Sequence, residues 1–154
     1  ENPTVSFAIV ISEILVFSSI GGLWSQWIDP KHFKKILTVL IFVLIVMFVY
    51  LDYIINFVLG LSSFPRFFLA SLLLFPAGVL IGLPFSLGMR YLLNSPLDRA
   101  FAWSANGCTS VLASIISAQI AISCGISTIL VCSIFSYILA FLCILKHDVL
   151  TASS

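Results

Sequence analysis

The chain has 154 residues, of which 61% are hydrophobic and 8% charged, against about 25% charged in a typical soluble domain. A chain of this size buries only about two thirds of its unfolded surface and must cover the remainder with polar groups, which excludes a water-soluble fold. Seven basic and six acidic residues leave a formal net charge of +1, without the clustered basic face that nucleic acid demands, so that partner class is excluded too.

The first residues, Glu1-Asn2-Pro3, carry no basic region ahead of the apolar run that follows, so no cleavable signal peptide is expected, and the segment reads as beginning mid-protein. Crossing a hydrocarbon core of roughly 30 Å takes about 20 apolar residues. Five stretches satisfy that requirement, at about residues 4–27, 36–59, 67–89, 102–124 and 126–145. The fold class is therefore all-α, a polytopic transmembrane helical bundle of about five helices forming a single transmembrane domain.

In the first span Trp24 and Trp27 fall where an interfacial aromatic belt lies, and Glu13 sits near the middle. The loop that follows holds Asp29-Pro30 and Lys31, Lys34 and Lys35. The second span is the most uniform, with Thr38 its only polar residue before Asp52. In the third, Pro76 and Pro84 release the carbonyls of Leu72 and Leu80 from their helical partners, so a kinked or broken helix is expected. The fourth follows a polar loop with Asn94, Pro96 and Asp98, Gly125 supplies a tight turn, and the fifth stops at Lys146-His147-Asp148.

Basic residues set orientation because Lys and Arg are retained on the cytoplasmic side. One set of aqueous segments holds Lys31, Lys34, Lys35, Arg90, Arg99 and Lys146, and the other holds only Arg66. That bias places the N-terminus outside and the C-terminus in the cytoplasm, in a membrane of the bacterial inner (cytoplasmic) type.

Among residues able to carry chemistry, Glu13 is the most expensive, because a charged carboxylate in a span must be paired, protonated or wet. It reads either as a proton or cation site or as a neutral acid hydrogen-bonded to a neighbouring helix through Asn106 or a serine. Asp52, between Tyr50 and Tyr53, reads as interfacial. Arg90, closing the third span, anchors to lipid phosphate or pairs with Asp98. His32 and His147 have no ligand partner at metal spacing, and Cys108, Cys124, Cys132 and Cys143 show no CxxC and read as packing residues. No cofactor, metal or catalytic motif is present, and no catalytic residue is assigned.

Packing signals are more specific. Gly78 and Gly82 form a GxxxG step, which lets a second backbone approach closely. Asn106, Ser110, Ala113, Ser117 and Ala121 share one stripe of the fourth span, opposite Val111, Leu112, Ile115 and Ile122. The expectation is that the glycine step packs against the stripe through Ser110 and Ser117.

Residues 76–90, PAGVLIGLPFSLGMR, resemble the P-x-G-x-x-x-G-M-P-F-P-L-G-L-R stretch of the spermidine synthase-like membrane proteins, the fused MFS/spermidine synthases. Residues 102–113, AWSANGCTSVLA, resemble the A-W-x-x-N-G-x-x-S-V-L-G stretch that follows it there, and residues 2–21 resemble the family's H-P-T-Y-x-x-S-V-V-L helix. Departures are Ser86 for a second proline, Leu83 for methionine, Ala113 for the second glycine, and Glu13 at a small or apolar position. The resemblance implies the C-terminal membrane module of such a protein, with any polyamine chemistry belonging to a soluble domain that this segment does not contain. The expected function is a non-catalytic membrane module or subunit, an anchor or assembly surface whose partners are the lipid bilayer and other membrane subunits or the remainder of a longer chain. The alternative is part of a small-solute or polyamine transporter or channel.

Overall fold

A computed structural model describes residues 3–152. Glu1 and Asn2, the Ser153-Ser154 end of the tail and the side chain of His147 lie outside what it describes. Among the described residues the ordered elements are all helical: α1 (Pro3–Trp24), α2 (Phe33–Val49), α3 (Leu51–Leu59), α4 (Ser63–Leu92), α5 (Pro96–Cys124) and α6 (Ile126–Ala152), with short 3-10 turns at Ser25–Trp27 and Pro30–His32. Four helices are long and apolar enough to cross a membrane, and α2 with α3 makes a fifth crossing if that bent pair is one span. The chain divides into two compact units, Glu1–Leu87 and Gly88–Ser154.

The first unit is organised by a seam between α1 and α4. Three contacts one helical turn apart keep a single register: Glu13 with Ser71, Phe17 with Phe75, and Gly21 with Val79. Residue numbers rise together along both helices, so α1 and α4 run parallel. Consequently α4 begins at the end of the bundle where α1 begins, and the segment between them must carry the chain back across. That settles the bent pair as a crossing; a re-entrant loop would return the chain to the side it came from. The 17 residues of α2 supply roughly 25 Å of that return at 1.5 Å per residue. Phe33, Leu37, Leu40 and Leu44 are the buried stripe of α2, at the three- and four-residue steps of one helix face.

The third span is not broken: α4 is one continuous helix from Ser63 to Leu92 with Pro76 and Pro84 inside it, as membrane helices allow when their neighbours compensate the freed carbonyls. The break falls in the second span, where α2 and α3 meet at Tyr50 with a bend of 61°. No proline or glycine lies there, and the backbone bonds Tyr50 N–H to Val46 O (3.0 Å) and Ile54 N–H to Tyr50 O (2.9 Å) are both kept. What the bend provides is a new helix N-terminus, and Asp52 occupies its first turn, where a negative charge meets the positive end of the helix dipole.

At its other end α3 is clasped by Arg66, whose guanidinium donates to the carbonyls of Leu59 (3.1 Å) and Leu61 (2.8 Å). A cation on the last carbonyls of a helix is the complementary arrangement. It also fixes the short turn into α4.

The second unit is a helical hairpin. Ser95 caps α5 by accepting from the Leu97 N–H (3.2 Å), and Pro96 follows at the first helical position, where its missing N–H costs nothing. Arg99 Nε donates to the Leu93 carbonyl (3.1 Å) and ties the loop to the helix start. At the opposite end Gly125 alone joins α5 to α6, with φ 87°, a backbone conformation that glycine adopts without the Cβ penalty.

Candidate functional site

The polar feature of the first unit lies on the α1–α4 seam. Glu13 is half-buried, and its Oε1 lies 2.5 Å from Ser71 Oγ. The same hydroxyl is 2.8 Å from the Phe67 carbonyl. A serine hydroxyl has one proton to give, so the two acceptors compete for it, and the carboxyl receives at most one shared hydrogen bond. Oε2 has no donor among the described residues, and no cation there pairs with Glu13. Of the partners expected for this acid, a serine, Ser71 of α4, is one that the first unit supplies.

Ser71 also lines an apolar cleft of about 200 Å³ with Phe17, Phe68, Leu72 and Phe75. Phe17 and Phe75 meet edge to face, with centroids 5.2 Å apart and planes at 80°, the geometry that aromatic quadrupoles favour. Glu13 is one turn along α1 from Phe17 and is not among the residues that line this cleft. A second apolar cleft of about 220 Å³ lies inside the bend, lined by residues of α2, Ile54 of α3, and Leu73 and Pro76 of α4.

Below the cleft the seam becomes backbone on backbone. A Cβ on Gly82 would stand 1.9 Å from the Ser18 carbonyl oxygen, one on Gly21 2.0 Å from that of Val79, and one on Gly78 2.7 Å from Phe17 Cβ. The close approach predicted for Gly78 and Gly82 is therefore made, but the expected partner is corrected: these positions receive α1 instead of the span through Ser110 and Ser117. The physical reason is reciprocity, since Ser18, Gly21 and Gly22 give α1 the matching small-residue face. That run was visible in the first span and is the signal the sequence reading passed over.

Asp52 is exposed beside the aromatic side of α3, where Tyr53 and Phe57 stack with centroids 6.5 Å apart. Exposed tyrosines and an acid at the end of a crossing suit the membrane interface. Arg90 is exposed in the last turn of α4.

In the second unit Asn106 and Ser110 are exposed and Ser117 is half-buried. The hydroxyls are satisfied by their own helix: Ser110 donates to the Asn106 carbonyl (2.7 Å), Ser117 to Ala113 (2.6 Å) and Ser114 to Val111 (2.7 Å). Such bonds let serine reside in an apolar helix without an external partner. The Asn106 carboxamide has no equivalent, and neither it nor that of Gln119 finds a partner among the described residues. Gln119, which the stripe argument omitted, lies a turn and a half from the Gly125 turn and can reach the aqueous edge. Asn106 lies about 15 Å along α5 from Pro96, beyond that reach.

The four cysteines are free and exposed. Among the described residues no cluster of His, Cys, Asp or Glu is placed to hold a metal ion. Comparison of the chain with protein-family models, with curated proteins and with solved structures finds no match.

Proposed function

We propose that the chain is a non-catalytic integral membrane module, an anchor or assembly surface belonging to a larger spermidine synthase-like protein or membrane complex. The observation that carries the module reading is the Asn106 carboxamide, exposed at membrane depth with no partner among the described residues. An amide left unpaired in hydrocarbon costs roughly 2 kcal/mol or more, and interhelical hydrogen bonding by Asn is the usual remedy. Further protein therefore covers this face of α5, as other subunits or as more of the same polypeptide. The kind of protein rests on the resemblance of residues 2–21, 76–90 and 102–113 alone.

The six-to-one distribution of basic residues supports an orientation with the N-terminus outside and the C-terminus cytoplasmic, in an inner (cytoplasmic) type of membrane. Photo-crosslinkers at positions 110 and 113, beside Asn106 on the same face of α5, test the module reading in the native membrane. Crosslinks to a defined protein that Asn106→Leu abolishes are the expected outcome, and crosslinks to lipid alone would overturn it.

Transport of a small solute is the second reading. The bend at Tyr50 and the Glu13 carboxyl inside the first unit favour it, because interrupted helices and intramembrane acids mark solute paths. Solute flux in liposomes that depends on Glu13 would support it.

A further inference from the structure

One face of α2 changes character along its length. Lys35, Val39, Phe42 and Val46 recur at steps of three and four residues and so share a stripe of the helix. Lys31, in the short turn ahead of α2, stands one turn before Lys35. The stripe lies opposite the buried Phe33, Leu37, Leu40 and Leu44 and faces outward: both lysines are exposed, and Val39, Phe42 and Val46 are 49%, 65% and 37% exposed. Its far end enters the apolar cleft of about 220 Å³ inside the bend, which Phe42 and Val46 line together with Leu73 and Pro76 of α4. Phe42 and Val46 are seven and eleven residues beyond Lys35, about 10 and 16 Å along the helix. Half the thickness of a hydrocarbon core is about 15 Å, so the lysines stand one leaflet's depth from the cleft.

We propose that this stripe binds one anionic phospholipid, its phosphate held by the ammonium groups of Lys31 and Lys35 and one acyl chain lying along Val39 with its end in the cleft beside Phe42 and Val46. Charge selects the headgroup. Lys31, Lys34 and Lys35 against Asp29 leave a formal +2 over residues 29–35, and Asp29 is engaged with the main chain, where its Oδ1 accepts from the Lys31 N–H (3.0 Å). Basic residues at the edge of a crossing attract acidic lipid, whereas a zwitterionic headgroup brings its own ammonium against the lysines. Trp24 and Trp27, both exposed, mark this end of the unit as interfacial. Length selects the body: a soluble phosphate leaves the apolar half of the stripe unused, and an uncharged chain leaves the lysines unused. The inference stands independently of the module reading, which concerns α5.

The test is native mass spectrometry of the full chain released from nanodiscs made of phosphatidylglycerol and phosphatidylcholine in equal amounts and with the same acyl chains. The native chain is expected to retain phosphatidylglycerol at least about fivefold more often than phosphatidylcholine. Lys31→Gln combined with Lys35→Gln should make the two lipids equivalent, while Lys146→Gln, a charge removed from the exposed end of α6, should leave the preference intact. Val46→Trp fills the cleft and keeps the lysines, and it should lower the retained phosphatidylglycerol about fivefold or more through lost burial of the chain. Glycerol phosphate, the charge without the chains, should not displace the lipid. The proposal is overturned by equal retention of the two lipids in the native chain, by a preference that survives loss of both lysines or is lost equally in Lys146→Gln, by undiminished retention in Val46→Trp, or by displacement with glycerol phosphate. Lys31 and Lys35 are exposed, so their double variant decides the matter even if Val46→Trp fails to fold.

Discussion

The two halves of the chain use small residues to opposite ends. In the α1–α4 seam Gly21, Gly78 and Gly82 are spent on contacts so close that a Cβ would enter the neighbouring main chain or side chain. In the α5–α6 hairpin Gly107 stands with nothing within 4 Å of its Cβ position, and no residue of α5 is buried. Composition alone makes the two helices look alike. What separates them is whether a reciprocal small-residue face exists: Ser18, Gly21 and Gly22 meet the glycines of α4, whereas the small side of α5 has no such match inside its hairpin. A small-residue stripe in a membrane helix thus marks a place where a backbone can come close, and only the opposite surface shows whether one has.

The sharpest way to break the contrast is to add one methyl group on each side of it. Gly82→Ala places a Cβ against the Ser18 carbonyl, and such overpacking on rigid backbone should cost about 3 kcal/mol or more. Gly107→Ala should leave the isolated chain unharmed or stabilise it by up to about 1 kcal/mol through helix propensity. Thermal unfolding of both variants in the same detergent decides the matter, and equal losses would erase the distinction between seam and bare face.

A smaller effect is expected at the turn into α4. Arg66→Met removes the clasp on the Leu59 and Leu61 carbonyls and should lower stability by about 1–2 kcal/mol. Faster amide hydrogen exchange confined to residues 51–62 is the signature, and unchanged exchange there would show that α3 holds its angle without the arginine. Smallest of the three, Gly125→Ala forces an L-residue to φ 87° at a cost of roughly 1 kcal/mol. Its mark is a lower melting temperature with the seam unaffected, read from exchange in α1 and α4.

Length of apolar runs was enough to place every crossing, because the bilayer imposes a minimum that only a few stretches of this chain meet. The interruptions were a different matter. Pro76 and Pro84 are the strongest breakers on any propensity scale, yet α4 passes through both, since the α1 seam holds the helix on either side of Pro76. Tyr50 has no breaker near it, and Arg66, which grips the far end of α3, is 16 residues away in sequence. Glu13 was conspicuous from composition, but Ser71 was one serine among many until the parallel register of α1 and α4 put it opposite. Asn106 was legible as a polar residue in a span, and its weight emerged only once the neighbouring hydroxyls were seen to bond within their own helix.

The single-residue connection at Gly125 constrains how the protein is made. One residue reaches at most about 3.6 Å, so α5 cannot deliver its C-terminal end to the far side of the bilayer while α6 waits in water on the near side. The 29 residues of α5 and the 27 of α6 enter the membrane as one folded hairpin. For the insertion machinery the unit of recognition is the pair, so the hydroxyl-rich and less apolar α5 is carried in by the strongly apolar α6 that follows it.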